Sequence, residues 1–333
     1  ATWNTPTTFT HSGGTVTFDR AGTTTLGNAS TQFDAITINP ATLNTSAASS
    51  FSLTTEGATS VTGTLTCNAS TVALSGENAT TVNNGGLISM MTSTFTCYTL
   101  TVGGGASGSV TTSTGTKTVN GLITINAGAS FGTAATTYTL DLNGTLATSA
   151  GTLIAPQAAG TFTFSGATWN TPTTFTHSSG TVTFDCAGTT TLGNNSTSFN
   201  VVTINNGATL ASSTYNFTAS GSMTLGSGTS GTFTTSTGTK RVDGTLTINA
   251  GASFGMAATA YTLDLNGTLA ASAGTLIAPN GSTFTFSGAT WNTPTTFTHS
   301  SGTVTYDLAG TTTLGNNSTS FNVVTINNGA TLA

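Results

Sequence analysis

The 333-residue sequence predicts an all-β chain whose strands coil into a parallel β-solenoid. Three observations support the prediction: a composition rich in strand-forming residues, long repeats of near-identical sequence, and a short apolar triplet that returns about every 20 residues. Each coil of a solenoid contacts only its neighbours. Such a fold can therefore be built from any number of similar segments.

The composition narrows the functional classes. Only 4% of the residues are charged, with four Lys and Arg against nine Asp and Glu, whereas a soluble domain carries about 25%. A protein that binds nucleic acid needs a basic surface, so we expect no nucleic-acid partner. The mean hydropathy of +0.13 argues against disorder. Apolar runs stay far shorter than about 18 residues, so we also expect no membrane span.

A long repeat organises the chain. The phrase ATWNTPTTFTHS begins the sequence and returns at Ala167 and again at Ala289, 122 residues further on. The first repeat is longer, with about two extra coils between 44 and 98, an insertion that a solenoid absorbs more easily than a closed sandwich. We therefore predict one continuous solenoid with long repeats at 1–166, 167–288 and, incomplete, 289–333.

A shorter period lies inside the long one, marked by an apolar–polar–apolar triplet. Its steps range from 17 to 23 residues, which predicts about 20 residues per coil and roughly 16 coils. Strand alternation points the two apolar residues inward and the central residue outward. The outward residues form a predicted Thr ladder, interrupted by Asp264, that consists of Thr203, Thr224, Thr247, Thr285, Thr305 and Thr325.

The repeated phrases TVTFD…TTTLGN, LTINAGASFG and YTLDLNGTLA support a family resemblance. With coils of this length and aromatic side chains inside, the chain resembles the right-handed parallel β-helix. The phrases resemble those of large bacterial surface proteins: haemagglutinin-like and autotransporter-passenger-like adhesins and giant repeat proteins. The resemblance implies right-handed coils and an extracellular, cell-surface role that is structural or adhesive. It carries over no catalytic residue.

The His and Trp residues recur together. Each His lies eight residues after a Trp, and the copies are too far apart in sequence to meet in one catalytic site. We favour a structural interpretation in which Trp packs at a corner and His caps a turn. The alternative is a recurring contact patch for a neighbouring chain or a glycan, formed by Trp3, His11, Trp169, His177, Trp291 and His299.

Cysteines and cations have simple interpretations. Cys67 and Cys97 both face inward by strand parity, as two buried thiols or, in an oxidising compartment, as a disulfide. Lys117, Lys240 and Arg241 are interpreted as solubilising turn residues. The acids stand singly, whereas pectate-lyase-like enzymes of this fold need clustered carboxylates. We therefore expect no enzyme, no cofactor and no metal site.

These observations favour a non-enzymatic extracellular structural protein: a rod segment or a subunit of a cell-surface filament. Neither end of the sequence carries a polar capping segment, so we expect head-to-tail self-association or continuation of a longer repeat chain. The first alternative is an adhesin, or an ice- or glycan-binding module that uses the Thr ladder. A polysaccharide-active β-helix enzyme is a second, weaker alternative.

Overall fold

A computed structural model confirms the all-β solenoid. Its 41 strands pair in parallel and stack into about 14 turns of about 22 residues, and the described residues contain no helix, hence none that could cross a membrane. The right-handed sense of the coil stays a prediction. The structure describes residues 1–4, 9–27, 31–47, 51–147, 149–194, 197–205, 207–227, 230–270, 273–315 and 319–333.

The chain divides into two compact units. Unit 1 comprises residues 1–166 and 170–180, and unit 2 comprises residues 167–169 and 181–333. Within each unit the strands of successive turns stack into three faces, which we name A, B and C in unit 1 and D, E and F in unit 2. Because the pairing is parallel and turn follows turn, each residue lies over a residue 19 to 23 positions earlier.

In unit 1 two long strands pass from face A to face B around a corner, and the register shifts there between Leu74 and Ala79. Face A contains Thr31–Phe33, Ser52–Thr55, the first half of Thr71–Val82, the first half of Thr94–Val102, Thr116–Val119, Thr139–Leu142 and Thr161–Phe164. Face B contains Thr15–Phe18, Ala35–Ile38, Thr59–Val61, the second halves of the two long strands, and Ile123–Ile125. Face C contains Thr2–Trp3, Thr23–Leu26, Thr42–Asn44, Thr64–Thr66, Leu87–Ser89, Gly108–Thr111, Ala129–Phe131, Thr152–Ile154 and Thr174–Thr176.

Unit 2 repeats the three-faced plan. Face D contains Thr197–Phe199, Phe217–Ala219, Thr239–Val242, Thr262–Leu265, Thr283–Phe286, Thr303–Tyr306 and Val323–Ile326. Face E contains Thr181–Phe184, Val201–Ile204, Met223–Leu225, Leu246–Ile248, Thr290–Trp291, Gly310–Leu314 and Ala330–Leu332, with Leu269 bridging its two halves. Face F contains Thr168–Trp169, Thr189–Leu192, Thr209–Ala211, Thr232–Thr234, Ser253–Phe254, Thr275–Ile277 and Thr296–Thr298.

Strand alternation fills the core with columns of apolar side chains. On face C, Leu43 pairs in register with Leu65, which pairs with Ile88, and all three are fully buried. Inside unit 2 an aromatic column runs through the core, with ring centroids 5.7, 4.9 and 4.8 Å apart from one ring to the next. Its members are Phe199, Phe217, Phe233 and Phe254. Burial of such rings is the main source of stability in each turn.

The turn is longer than the sequence predicted, and one triplet interval explains the difference. Leu265 does not lie over Ile248, the preceding triplet residue, but pairs with Val242, 23 residues earlier. The 17-residue step from Ile248 to Leu265 therefore crosses from face E to face D without completing a turn. Counting that step as a full coil made the predicted coil too short and the number of coils too large.

The same correction places identical phrases on different faces. Trp169 lies on face F, where its strand pairs with Thr189–Leu192. Trp291, in the same phrase 122 residues later, lies on face E and bridges to Leu269. The long repeat is thus not a whole number of turns. A phrase can occupy either face because every face makes the same demand, apolar residues inward and Thr outward.

Glycine marks the tight corner between faces D and E, where successive turns approach closely. A Cβ added to Gly267 would lie 2.1 Å from the carbonyl oxygen of Gly244, and one added to Gly288 would lie 2.0 Å from that of Gly267. Real Cβ atoms do not approach backbone this closely, so each of these positions requires glycine for the turns to stack.

Two lysines point into the core, contrary to their interpretation as turn residues. Lys117 and Lys240 are fully buried and lie in register with Phe95 and Phe217, respectively, of the preceding turn. The Lys117 ammonium donates to the carbonyl oxygens of Met90 (3.2 Å) and Thr114 (2.9 Å), and also to that of Ser93. Lys240 donates to the carbonyl oxygen of Tyr215. The buried ammonium groups thus pair backbone carbonyls where the chain turns.

Replacing Phe233 by Ala should lower the free energy of unfolding by about 3–5 kcal/mol, because it leaves a cavity in the aromatic column. Urea denaturation of the two proteins measures the difference. The control is Thr232→Ala, which removes a side chain outside the core and should change stability by no more than about 0.5 kcal/mol. Equal effects of the two substitutions would contradict the assignment of inward and outward positions.

Lys240 makes stability depend on pH in a defined sense. Burial lowers its pKa from 10.5 to about 8, so between these values the unfolded chain binds more protons than the folded chain. Stability contributed by this site therefore rises with pH across that window. Relative to Lys240→Met, which keeps every tyrosine and cysteine, the wild type should gain at most about 3 kcal/mol. Urea denaturation of both proteins at the two limits tests this, and a constant difference would contradict it.

Candidate functional site

The predicted Thr ladder is two separate columns. Thr203, Thr224 and Thr247 lie in register on face E. Thr285, Thr305 and Thr325 lie in register on face D, above Asp264. The prediction of one surface was wrong because the chain changes face between Thr247 and Asp264. No single array in unit 2 therefore contains all six residues.

Unit 1 carries a longer unbroken array that the sequence analysis did not single out as a site. On face B the central residues of six successive turns pair in register, and every one carries a hydroxyl group; we call this set the face-B hydroxyl column. It consists of Thr17, Thr37, Ser60, Thr81, Thr101 and Thr124. The signal was present in the sequence, because these residues are the central positions of apolar–polar–apolar triplets or directly extend that pattern.

Face C presents hydroxyl groups on both sides of its inward column. The strand Thr64–Thr66 places Thr64 and Thr66 on either side of the buried Leu65. Ser109 and Thr111 flank Val110 in the same way two turns later. Residues i and i+2 on a strand share a face, and parallel neighbours lie about 4.8 Å apart. The outer surface of unit 1 is therefore a periodic hydroxyl array with few charges.

A charged cluster interrupts face D of unit 2. Arg241 lies in register with Asp264 of the next turn, and its Nε lies 2.6 Å from Oδ1 of Asp243 and 3.9 Å from Oδ2 of Asp264. Asn266 donates to Asp243 at 2.7 Å. Burial raises the pKa of Asp264, while Arg241 acts in the opposite sense. The expectation that the acids stand singly fails here, and an arginine neutralises the pair that forms.

The Trp residues belong to the core. Trp169 and Trp291 are fully buried, and Trp3 packs edge-to-face against Phe18 with ring centroids 6.0 Å apart. Buried indoles cannot form the contact patch considered from the sequence. The other interpretation, in which Trp packs inside the fold, accounts for these positions.

Two of the His residues cap turns, as the favoured interpretation proposed. Nδ1 of His177 accepts from the backbone N–H of Ser179 at 3.1 Å, and Nδ1 of His299 accepts from that of Ser301 at 3.3 Å. Both serines have positive φ, near 58°, a backbone conformation that this contact helps to hold. His11, in the first copy of the phrase, makes different contacts.

The cysteines are free thiols. Cys97 lies on face A between Leu74 and Val119, whereas Cys67 follows a strand of face C, and both are fully buried. The disulfide considered from the sequence is therefore absent. Burial raises the pKa of Cys67 to about 12, with Lys117 acting in the opposite sense, and burial also raises the pKa of Cys97. Thiols in this state are protonated and act as small apolar side chains.

Comparison of the chain with protein-family models, curated proteins and solved structures finds no match. Function must therefore be argued from the surfaces themselves. The geometry offers periodic hydroxyl arrays along the sides of the turns and an apolar surface on the last turn. Both arrangements suit contact with an extended or repeating partner better than chemistry on a small molecule.

Proposed function

We propose that the chain is a structural rod element: a non-enzymatic, extracellular β-solenoid that extends into a longer rod or a cell-surface filament. One observation carries the proposal, the apolar surface of the last turn on face D. Support also comes from the resemblance of the repeated phrases to bacterial surface proteins. The scarcity of charge, at 4% of residues, adds to it.

The last turn exposes residues that the same phrase buries elsewhere. Val324 and Ile326 are 38% and 50% exposed on the strand Val323–Ile326. Their counterparts 122 residues earlier, Val202 and Ile204, are fully buried. The difference arises because Met223–Leu225 lies in register over the earlier strand. The apolar surface of the last turn thus matches one that another turn covers inside the protein.

The partner that fits this surface is a further turn of the same kind. Such a turn would pair the free backbone N–H and C=O groups of the edge and bury apolar area worth about 25 cal/mol per Å². Little charge opposes the contact. A covalent continuation and a second copy of the chain both supply the turn, and both lengthen the rod. A second copy docking head to tail grows an open filament unless the rotation closes a ring.

Purified protein at high concentration should form rods or filaments visible by negative-stain electron microscopy. The double variant Val324→Lys with Thr325→Pro should shorten or abolish them, because it places a charge on the apolar surface and removes an edge N–H. Sedimentation velocity gives the length distribution in solution. A wild-type protein that stays monomeric at every concentration would contradict head-to-tail assembly.

The matched control is Thr305→Lys. Thr305 lies one turn earlier on the same face, with its side chain on the outer surface rather than at the edge. The added charge should therefore leave assembly unchanged. Loss of filaments in this control would mean that lateral contacts between rods, not the edge of the last turn, drive assembly.

The face-B hydroxyl column supports a second function, binding of an ordered hydroxyl-rich surface such as ice or a crystalline polysaccharide. Six hydroxyl groups in consecutive turns repeat at about 4.8 Å, and so regular an array can match a repeating surface. Solvated solenoid faces also carry such residues, so the array by itself supports this role less than the apolar edge supports the rod.

The variant Thr81→Lys with Thr101→Lys tests this second function, because two bulky charges interrupt the column at its centre. If the column binds, wild type should shift ice growth or sediment with crystalline cellulose or chitin, and the variant should lose the effect. Thr118→Lys on face A serves as the control and should behave as wild type. Equal behaviour of wild type and the double variant in these assays would contradict binding through face B.

A further inference from the structure

Three successive turns of unit 1 bring a His, an Asp and a Glu to one corner. His11, Asp34 and Glu56 are separated by 23 and 22 residues, which is one turn in each case. A ligand atom from each side chain lies within 4.8 Å of those of the other two. Stacking of the turns therefore creates the cluster, although the residues are distant in the sequence.

The backbone holds the two acids in adjacent turns. Asp34 follows the face-A strand Thr31–Phe33, and Glu56 follows Ser52–Thr55, the strand stacked on it. The N–H of Glu56 donates to the carbonyl oxygen of Phe33 at 3.1 Å, and the N–H of Gly57 donates to that of Asp34 at 2.6 Å. The corner is thus ordered by hydrogen bonds that do not use either carboxylate.

Gln32 orients Glu56 toward His11. Its Nε2 donates to Oε1 of Glu56 at 2.5 Å, and the other oxygen, Oε2, lies 3.8 Å from Nε2 of His11. In the described part of the chain neither Asp34 nor Glu56 has a lysine or arginine nitrogen within 4.0 Å. Two carboxylates therefore face one imidazole with no strong cation beside them.

His11 also differs from its counterparts in later copies of the phrase. In those copies Nδ1 of His299, for example, accepts from the N–H of Ser301. In the first copy Gly13 replaces that serine, and the buried Nδ1 of His11 has no hydrogen-bond partner among the described residues. The acid is specific to the first copy as well, since Asn322 stands where Asp34 does. The imidazole is thus released from turn capping only where carboxylates face it.

We propose that His11, Asp34 and Glu56 form a binding site for a divalent transition-metal ion of the zinc type. One imidazole nitrogen and two carboxylate oxygens are a ligand set that such ions accept. Three protein ligands leave a coordination position for water. The Gln32 amide supplies the second-sphere hydrogen bond that commonly orients a ligating carboxylate.

A bound ion would join three turns of unit 1. The ligands come together only in the folded chain, so binding stabilises the folded state by mass action. The inference is independent of the rod proposal, because it concerns a corner of unit 1 and not the edge of the last turn.

Isothermal titration of the full chain with ZnCl₂ tests the site, in a Cys186→Ser background that removes the half-buried thiol. One saturable site per chain is expected. His11→Ala should abolish it, and Asp34→Asn, which introduces the residue of the other copies, should weaken it by at least about tenfold. Losing a ligand should cost no less than losing a second-sphere partner, which costs 10–100-fold. The absence of saturable binding, or binding that survives His11→Ala, would overturn the proposal.

The matched control is His299→Ala, which removes the equivalent imidazole from a copy that carries Asn322. It should leave zinc affinity unchanged. As a second readout, excess Zn²⁺ should raise the melting temperature of wild type and of His299→Ala but not that of His11→Ala. An equal rise in all three proteins would show non-specific binding and would also overturn the proposal.

Discussion

The parallel backbone pairing that lays each turn on the previous one in register is the constraint on which the rest of the structure depends. It satisfies the N–H and C=O groups of the strands without help from side chains. It also stacks equivalent positions, so Leu43, Leu65 and Ile88 form one column. Given this pairing, a strand need only alternate apolar and hydroxyl residues to bury its share of the core.

The equivalence of the three faces follows from that simple demand. Trp169 and Trp291 occupy different faces of unit 2, yet both are fully buried. A repeat of 122 residues can therefore be duplicated without being a whole number of turns, because the copy meets the same environment on whichever face it lands. A globular core, in which each position has its own neighbours, would not accept such a shift.

Polar chemistry gathers where alternation stops. At corners the backbone turns, and its carbonyls need partners other than the next strand, which the Lys117 ammonium supplies at Ser93. The same break in alternation lets Asp34 and Glu56 project beside one another at a corner. Regular faces thus account for stability and assembly, whereas corners are where this fold can place ligand groups.

The sequence by itself determined the strand class, the stacking of turns and the inward or outward phase of the triplets. Even the burial of Lys117 could have been predicted, because it shares the phase of Val119 in the strand Thr116–Val119. Only the tertiary structure decided which triplets share a column, with Leu265 stacking on Val242 and not on Ile248. The physical reason is that corners vary in length. A step of 17 residues can therefore end on the next face, whereas steps of 23 and 22 bring His11, Asp34 and Glu56 to one corner.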